Sequence, residues 1–153
     1  MQIGLLDPER LIRWRTRRIV GQLAHRILRV TAGIEVPDSV RVGKDVRIMH
    51  GGFGLVIHDD TTIGDRVRLF QGVTIGRADV WVPRAEAIFG GVEIADDACV
   101  CAGAKIIGGA TRLRVGRGTV VGANAVLLES TGDWEIWAGV PARLVGKREA
   151  PGA

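Results

Sequence analysis

The sequence predicts a mainly β protein, a parallel β-helix of hexapeptide repeats preceded by one amphipathic basic α-helix. Three observations carry this. Branched aliphatics recur every six residues, at Val36, Val42 and Ile48, at Ile57, Ile63, Leu69 and Ile75, at Ile94, Val100 and Ile106, and at Val115, Val121 and Leu127. Small or turn-forming residues fill the gaps, as in VGKD, IGDR, VGRG and VGANA. A period of six also matches neither the helical nor the simple strand repeat. Each hexad is then one short strand and one turn, and three hexads close a triangular coil, about five coils in all. No coil can bury its apolar stack until neighbours lie above and below it.

Composition narrows the class. At 153 residues the chain suits one domain with a continuous core. Its 22 glycines against 5 prolines suit a turn at every hexad, not collagen or a linker. No apolar run is long enough to span a membrane, and the N-terminal arginines lie inside an apolar pattern instead of leading it, unlike a signal peptide. Two closely spaced cysteines, Cys99 and Cys101, suggest no disulfide framework, so a cytoplasmic location is expected. The net charge of +4 is uneven, because residues 1–33 hold seven arginines against Asp7 and Glu9. The basic character belongs to one segment, and no nucleic-acid partner is expected.

Residues 1–33 read as the helix. Asp7 and Pro8 suit an N-cap and first helical position, and Leu11, Ile12, Ile19, Val20, Leu23, Ile27 and Leu28 recur at helical spacing. Such a helix docks on the first coils or on a neighbouring subunit. Its arginines and Trp14 also fit peripheral membrane contact, the second reading. Residues 34–147 form the coils and their cap, and 148–153 a flexible tail. Ile48 to Ile57 and Ile106 to Val115 are nine apart instead of six, so three extra residues bulge at a corner in each case. A longer interruption runs from Arg77 to Gly91, and such insertions emerge as loops on one face. Past Leu127 the repeat stops, and Trp134 and Trp137 cap the last coil.

His50 is the strongest candidate for chemistry. It follows the inward Ile48 at the start of a bulge, with Gly51, Gly52 and Gly54 giving access, and histidine suits removal of a proton from a hydroxyl. His58 follows the inward Ile57 and should point outward at a corner, a surface residue first and a second substrate contact otherwise. Cys99 and Cys101 flank Val100 and point away from the axis, while Asp96 and Asp97 read as the acidic turn of a hexad.

The repeats, with HGGFGLVIH (His50 to His58), QGVTIGRAD (Gln71 to Asp79) and AGVPARLVGK (Ala138 to Lys147), resemble the hexapeptide-repeat acyltransferases, above all the serine O-acetyltransferase branch. The resemblance implies a left-handed β-helix, an exception to the right-handed crossover preference. It implies a homotrimer with the site between subunits. The reaction would be direct transfer from acetyl-CoA to an acceptor hydroxyl, with His50 as general base. Its donor groove maps onto Gly76, Arg77, Ala102, Gly103, Gly122, Ala123, Gly139, Pro141, Ala142 and Arg143, with Arg143, Lys147 and Arg117 available to phosphates.

The chain departs from that branch at Met49, where the branch carries aspartate, and at Pro83-Arg84-Ala85-Glu86, where it carries an Asp-Arg-His-Pro element. Asp79 or Glu86 would then orient His50, and Gln71 is a further substrate contact. The acceptor is serine, or a sugar or other small-metabolite hydroxyl. A non-catalytic β-helix scaffold is the remaining alternative. Zinc held by three histidines, known in some left-handed β-helices, is not expected, because His25 belongs to the helix and only His50 and His58 lie in coils.

Overall fold

The computed structural model describes Glu9 and residues 26–150. The expected N-terminal helix therefore lies largely outside the described residues, its arginines from Arg10 to Arg18, Trp14 and His25 included. Residues 26–32 are helical, and Gly33 leaves the helix with positive φ. Glu9 accepts a hydrogen bond from the Ile48 N–H at 2.9 Å, so this residue touches the first coil.

The strands are short and follow the hexads. The first coils supply β1 (Arg41–Val42), β2 (Arg47–Ile48), β3 (Val56–Ile57), β4 (Thr61–Ile63), β5 (Arg68–Leu69) and β6 (Thr74–Arg77). Next come β7 (Val92–Ile94), β8 (Cys99–Val100), β9 (Lys105–Gly108), β10 (Leu113–Val115), β11 (Val120–Val121) and β12 (Val126–Leu127). The chain closes on β13 (Glu135–Ala138) and β14 (Arg143–Lys147). Every third strand stacks. The first sheet is β1-β4-β7-β10, the second β2-β5-β8-β11-β13-β14, and the third β3-β6-β9-β12. All pairings are parallel except β13 with β14, which form an antiparallel hairpin.

The register places the predicted aliphatics directly above one another. Val42, Ile63, Ile94 and Val115 form one column. Ile48, Leu69, Val100 and Val121 form the second, which Trp137 closes. Ile57, Ile75, Ile106 and Leu127 form the third. Burial is complete in the middle of the stack, and Val42 and Ile48 at its open end are only half-buried. Every hexad but that of Ile48, where Val46 is half-buried, also buries the residue two places earlier, among them Leu55, Val67, Val73, Val92, Ala98, Ala104 and Ala125. Strand alternation requires this, since residues two apart share a face. At one such position Thr119 stays satisfied by donating its hydroxyl to the Gly132 carbonyl at 2.7 Å.

The turns between the first and second sheets form a ladder of their own. Asp45, Arg66, Asp97, Gly118 and Trp134 all have φ between 54° and 63°. For residues other than glycine that conformation costs on the order of 1 kcal/mol each. Side chains offset part of it. Asp65 accepts the Lys44 N–H at 2.7 Å, Asp96 the Asp65 N–H at 2.9 Å, and Asp133 the Arg117 N–H at 2.8 Å. Asp97 grips Arg66 at 2.7 and 3.0 Å and takes Arg117 at 3.3 Å. The Arg66 hydrogen bond outweighs burial and, with Arg117, holds the Asp97 carboxyl below its ordinary 3.8. A carboxyl depressed on folding contributes stability above its unfolded pKa and loses it as pH falls through the folded value. Asp97→Asn is therefore expected to lower the melting temperature at pH 7, with the difference closing as pH drops below about 3.8. Melting curves of both proteins from pH 7 to 2 check this.

Candidate active site

The edge between the second and third sheets gathers most of the predicted site. In an ordinary coil this corner is a tight turn with one left-handed residue, at Gly54, Gly72, Gly103 and Asn124 in successive coils. A Cβ at Gly72 would stand 3.5 Å from the Gly103 Cα, and one at Gly103 would meet the Asn124 side chain at 2.1 Å. Backbone hydrogen bonds lock the corners together, from Gly72 N–H to Phe53 O at 2.7 Å, Gly103 N–H to Gln71 O at 2.9 Å and Asn124 N–H to Ala102 O at 2.9 Å.

His50 lies in the three-residue excess of the first of these corners. His50, Gly51 and Gly52 are consecutive left-handed residues, with φ of 52°, 69° and 66°. Gly52 cannot be enlarged, because a Cβ there would approach the Ile48 side chain at 2.5 Å. The imidazole is exposed, and its nearest aromatic neighbour is the Phe70 ring, 5.7 Å away between centroids. No side chain among the described residues hydrogen-bonds it. Below it on the same edge come Gln71, then Ala102 and Gly103, then Gly122 and Ala123. The Gly139-Pro141-Ala142 turn ends the row, joined by the bond from Val126 N–H to Gly139 O at 3.0 Å. The Gln71 Oε1 is buried on this edge without a hydrogen-bond partner.

Gly76 and Arg77 stand apart from this row. They end β6 at the opposite edge of the third sheet, where a Cβ at Gly76 would meet nothing within 4 Å. Arg77 donates to the Val82 carbonyl at 2.6 Å and lies 3.6 Å from Asp79. Asp79 and the exposed Glu86 thus belong to the loop after β6, and neither contacts His50 within the chain. Arg143 is engaged by Glu129 at 3.5 Å and by a backbone carbonyl, and Arg117 is held by Asp97 and Trp134. Lys147 is exposed at the end of β14.

His58 turns the same edge as Gly76, at the other end of β3 from His50. Its Nδ1 lies 2.8 Å from Asp59 Oδ1 and accepts the Asp60 N–H at 3.2 Å, and Phe89 packs edge-on at 4.6 Å. Arg84 pairs with Asp59. Burial pushes the Asp59 carboxyl up, but Arg84 and His58 outweigh it and leave it below its ordinary value. Sequence reasoning missed Arg84 and Phe89 as anchors, since nothing local shows that the loop 78–91 folds back onto the turn below it. The loop roofs a groove of about 390 Å³ on the third sheet, lined by Val56, His58, Thr74, Gly76, Arg77 and Arg84. His58, Asp59 and Asp60 bring ligand atoms within 4.8 Å of one another, but Arg84 already occupies Asp59. No helix among the described residues is long and apolar enough to cross a membrane.

Hexads stacked into three sheets define a left-handed parallel β-helix of the hexapeptide-repeat type, with His50 exposed in its glycine insertion. The comparisons show what the chain is similar to. The chain is 34% identical over 131 residues to a serine acetyltransferase of Bacillus licheniformis, covering 86% of this chain and 56% of that one. It is 31% identical over 127 residues to the Staphylococcus aureus N315 serine acetyltransferase, covering 83% and 55%. Among solved structures, the Vibrio cholerae serine acetyltransferase superposes with a TM-score of 0.77 at 26% identity, over 94% of this chain and 54% of that one. The Brucella abortus serine acetyltransferase in complex with coenzyme A shares the fold, with a TM-score of 0.75 at 24% identity over 95% and 56%. No family model matches. The chain spans little more than half the length of the curated relatives it matches. Over that span the resemblance to the serine O-acetyltransferase branch holds.

Proposed function

We propose that the chain is an acetyl-CoA-dependent O-acetyltransferase with His50 as general base and residues 34–147 as its catalytic unit. The observation that carries this is the second–third edge. There the glycine insertion bearing His50 and the corners expected to hold the donor share one hydrogen-bonded row, although the sequence separates them by up to ninety residues. The imidazole takes the acceptor hydroxyl proton as the oxygen attacks the thioester carbonyl. A backbone N–H of the glycine turn stabilises the oxyanion. Collapse expels the CoA thiolate, which recovers the proton from the imidazolium. Small residues at Ala102, Gly103, Gly122 and Ala123 leave room for a flat pantetheine arm, and Lys147 and Arg143 serve its phosphates. The unpaired Gln71 Oε1 is available to an acceptor donor group.

Trimeric assembly is part of the proposal. Among the described residues His50 has no orienting partner, and a neighbouring subunit on this edge would supply one. Serine is the first acceptor, because the curated relatives are serine acetyltransferases. Met49 and the absence of a second histidine in the loop favour testing sugar hydroxyls as the second.

The test is release of free CoA thiol from acetyl-CoA with and without L-serine. Serine-dependent release is expected. Release that serine does not stimulate, while acetyl-CoA still binds, would remove serine and leave the transferase. Absence of acetyl-CoA binding would leave only the scaffold.

A further inference from the structure

At the opposite edge, between the first and second sheets, lies a cavity of about 430 Å³ with an unbalanced set of charges. Arg47, Arg68 and Arg148 line it with Trp134. Arg66 lines it too, but is already neutralised by Asp97. Arg47 and Arg68 are direct partners on adjacent parallel strands, which lie about 4.8 Å apart. Like charges in that position destabilise a sheet. Neither is relieved. Among the described residues Arg47, Arg68 and Arg148 have no ion-pair partner, and Asp45 is the one carboxylate of the cavity left to face three guanidiniums.

Two observations place the third arginine with the others. The Arg148 guanidinium is 5.3 Å from the Trp134 ring centroid, and the Arg148 backbone N–H donates to the Trp134 carbonyl at 2.8 Å, which ties the residue to this corner. Cys99, the next residue above Arg68 in register, has its thiol drawn down to about 6, first by Cys101 and then, against burial, by Arg68 and Arg148 together. Arg68 and Arg148 line the same cavity. Unpaired arginines lining one cavity match the forked donors that bind multivalent oxyanions.

We infer that Arg47, Arg68 and Arg148 form a binding site for a small polyanion of the phosphate or diphosphate class, distinct from the His50 edge. The inference does not depend on the transferase reading, since the two sites occupy different edges of the prism.

The experiment titrates the full chain with sodium pyrophosphate by calorimetry in low-salt buffer, alone and with saturating CoA. One pyrophosphate per chain is expected to bind, and to persist when CoA is present. Arg68→Ala/Arg148→Ala should weaken it at least about tenfold. The lysine pair, which keeps charge but loses the fork, should fall between. Matching far-UV circular dichroism and urea midpoints certify the variants, and Arg47→Ala serves if the double variant does not fold. Absence of saturable binding, binding untouched by these substitutions, or displacement by CoA would each overturn the site. So would a change of assembly state on sedimentation of the double variant while the wild type ignores pyrophosphate, because the arginines would then serve carboxylates of a second copy.

Discussion

His50→Ala is expected to lower kcat for CoA release by about 10²–10⁴-fold with acetyl-CoA affinity retained, the range that general-base catalysis contributes. The split follows from geometry. His50 sits in the extra residues of one corner, whereas the proposed donor surface consists of backbone and small side chains of other coils. Removing the imidazole takes away a proton acceptor without touching those corners. A fall in kcat with unchanged donor binding is the signature of a group that acts in the transition state. His58→Ala gives the contrast. That imidazole anchors the 78–91 loop through Phe89 and the Asp59–Arg84 pair, so its loss should act through loop position. Stopped-assay kinetics and acetyl-CoA binding on both variants decide the matter. Equal activity of His50→Ala and wild type would mean that the base lies elsewhere.

The sequence made the prism legible because one residue type must recur wherever the backbone returns to the same face. Ile63, Ile94 and Val115 had to be aliphatic, and they stack in register. The insertion was equally plain, since the spacing from Ile48 to Ile57 breaks the rule by three and the structure spends those residues on His50, Gly51 and Gly52. The second spacing change, from Ile106 to Val115, does not show which residues it extrudes. Gly108 stays in β9 paired with Arg77, and the bulge is 109–112. The second buried position of each hexad was hidden, because Ala98, Val67 and Thr61 share burial without sharing a residue type. What joins separate coils was least visible. Gly76 and Arg77 belong with the motif that contains Gln71, yet β6 carries them to the other edge of its sheet. The arginine cradle at the first–second edge needs Arg148 to return from the final hairpin, which no local pattern announces.

Ile106→Ala is expected to destabilise the chain by about 2–5 kcal/mol, the cost of a buried large-to-small change. Ile106 is fully buried between Ile75 and Leu127 in the third column. Parallel ladders hold those neighbours on both sides, so the coils cannot close over the vacated space, and the cost should fall in the upper half of the range. Ile106→Val removes one methylene and should cost about 1 kcal/mol. Thr62→Ala, on the outward side of β4, should stay within about 0.5 kcal/mol. The comparison is made from urea midpoints at one fixed protein concentration, because assembly would otherwise enter the result. An Ile106→Ala cost near that of Thr62→Ala would mean that the stacked aliphatics do not hold the prism together. Its stability would then have to come from the turn ladders at the edges, where Asp65, Asp96 and Asp133 bind the backbone of neighbouring coils.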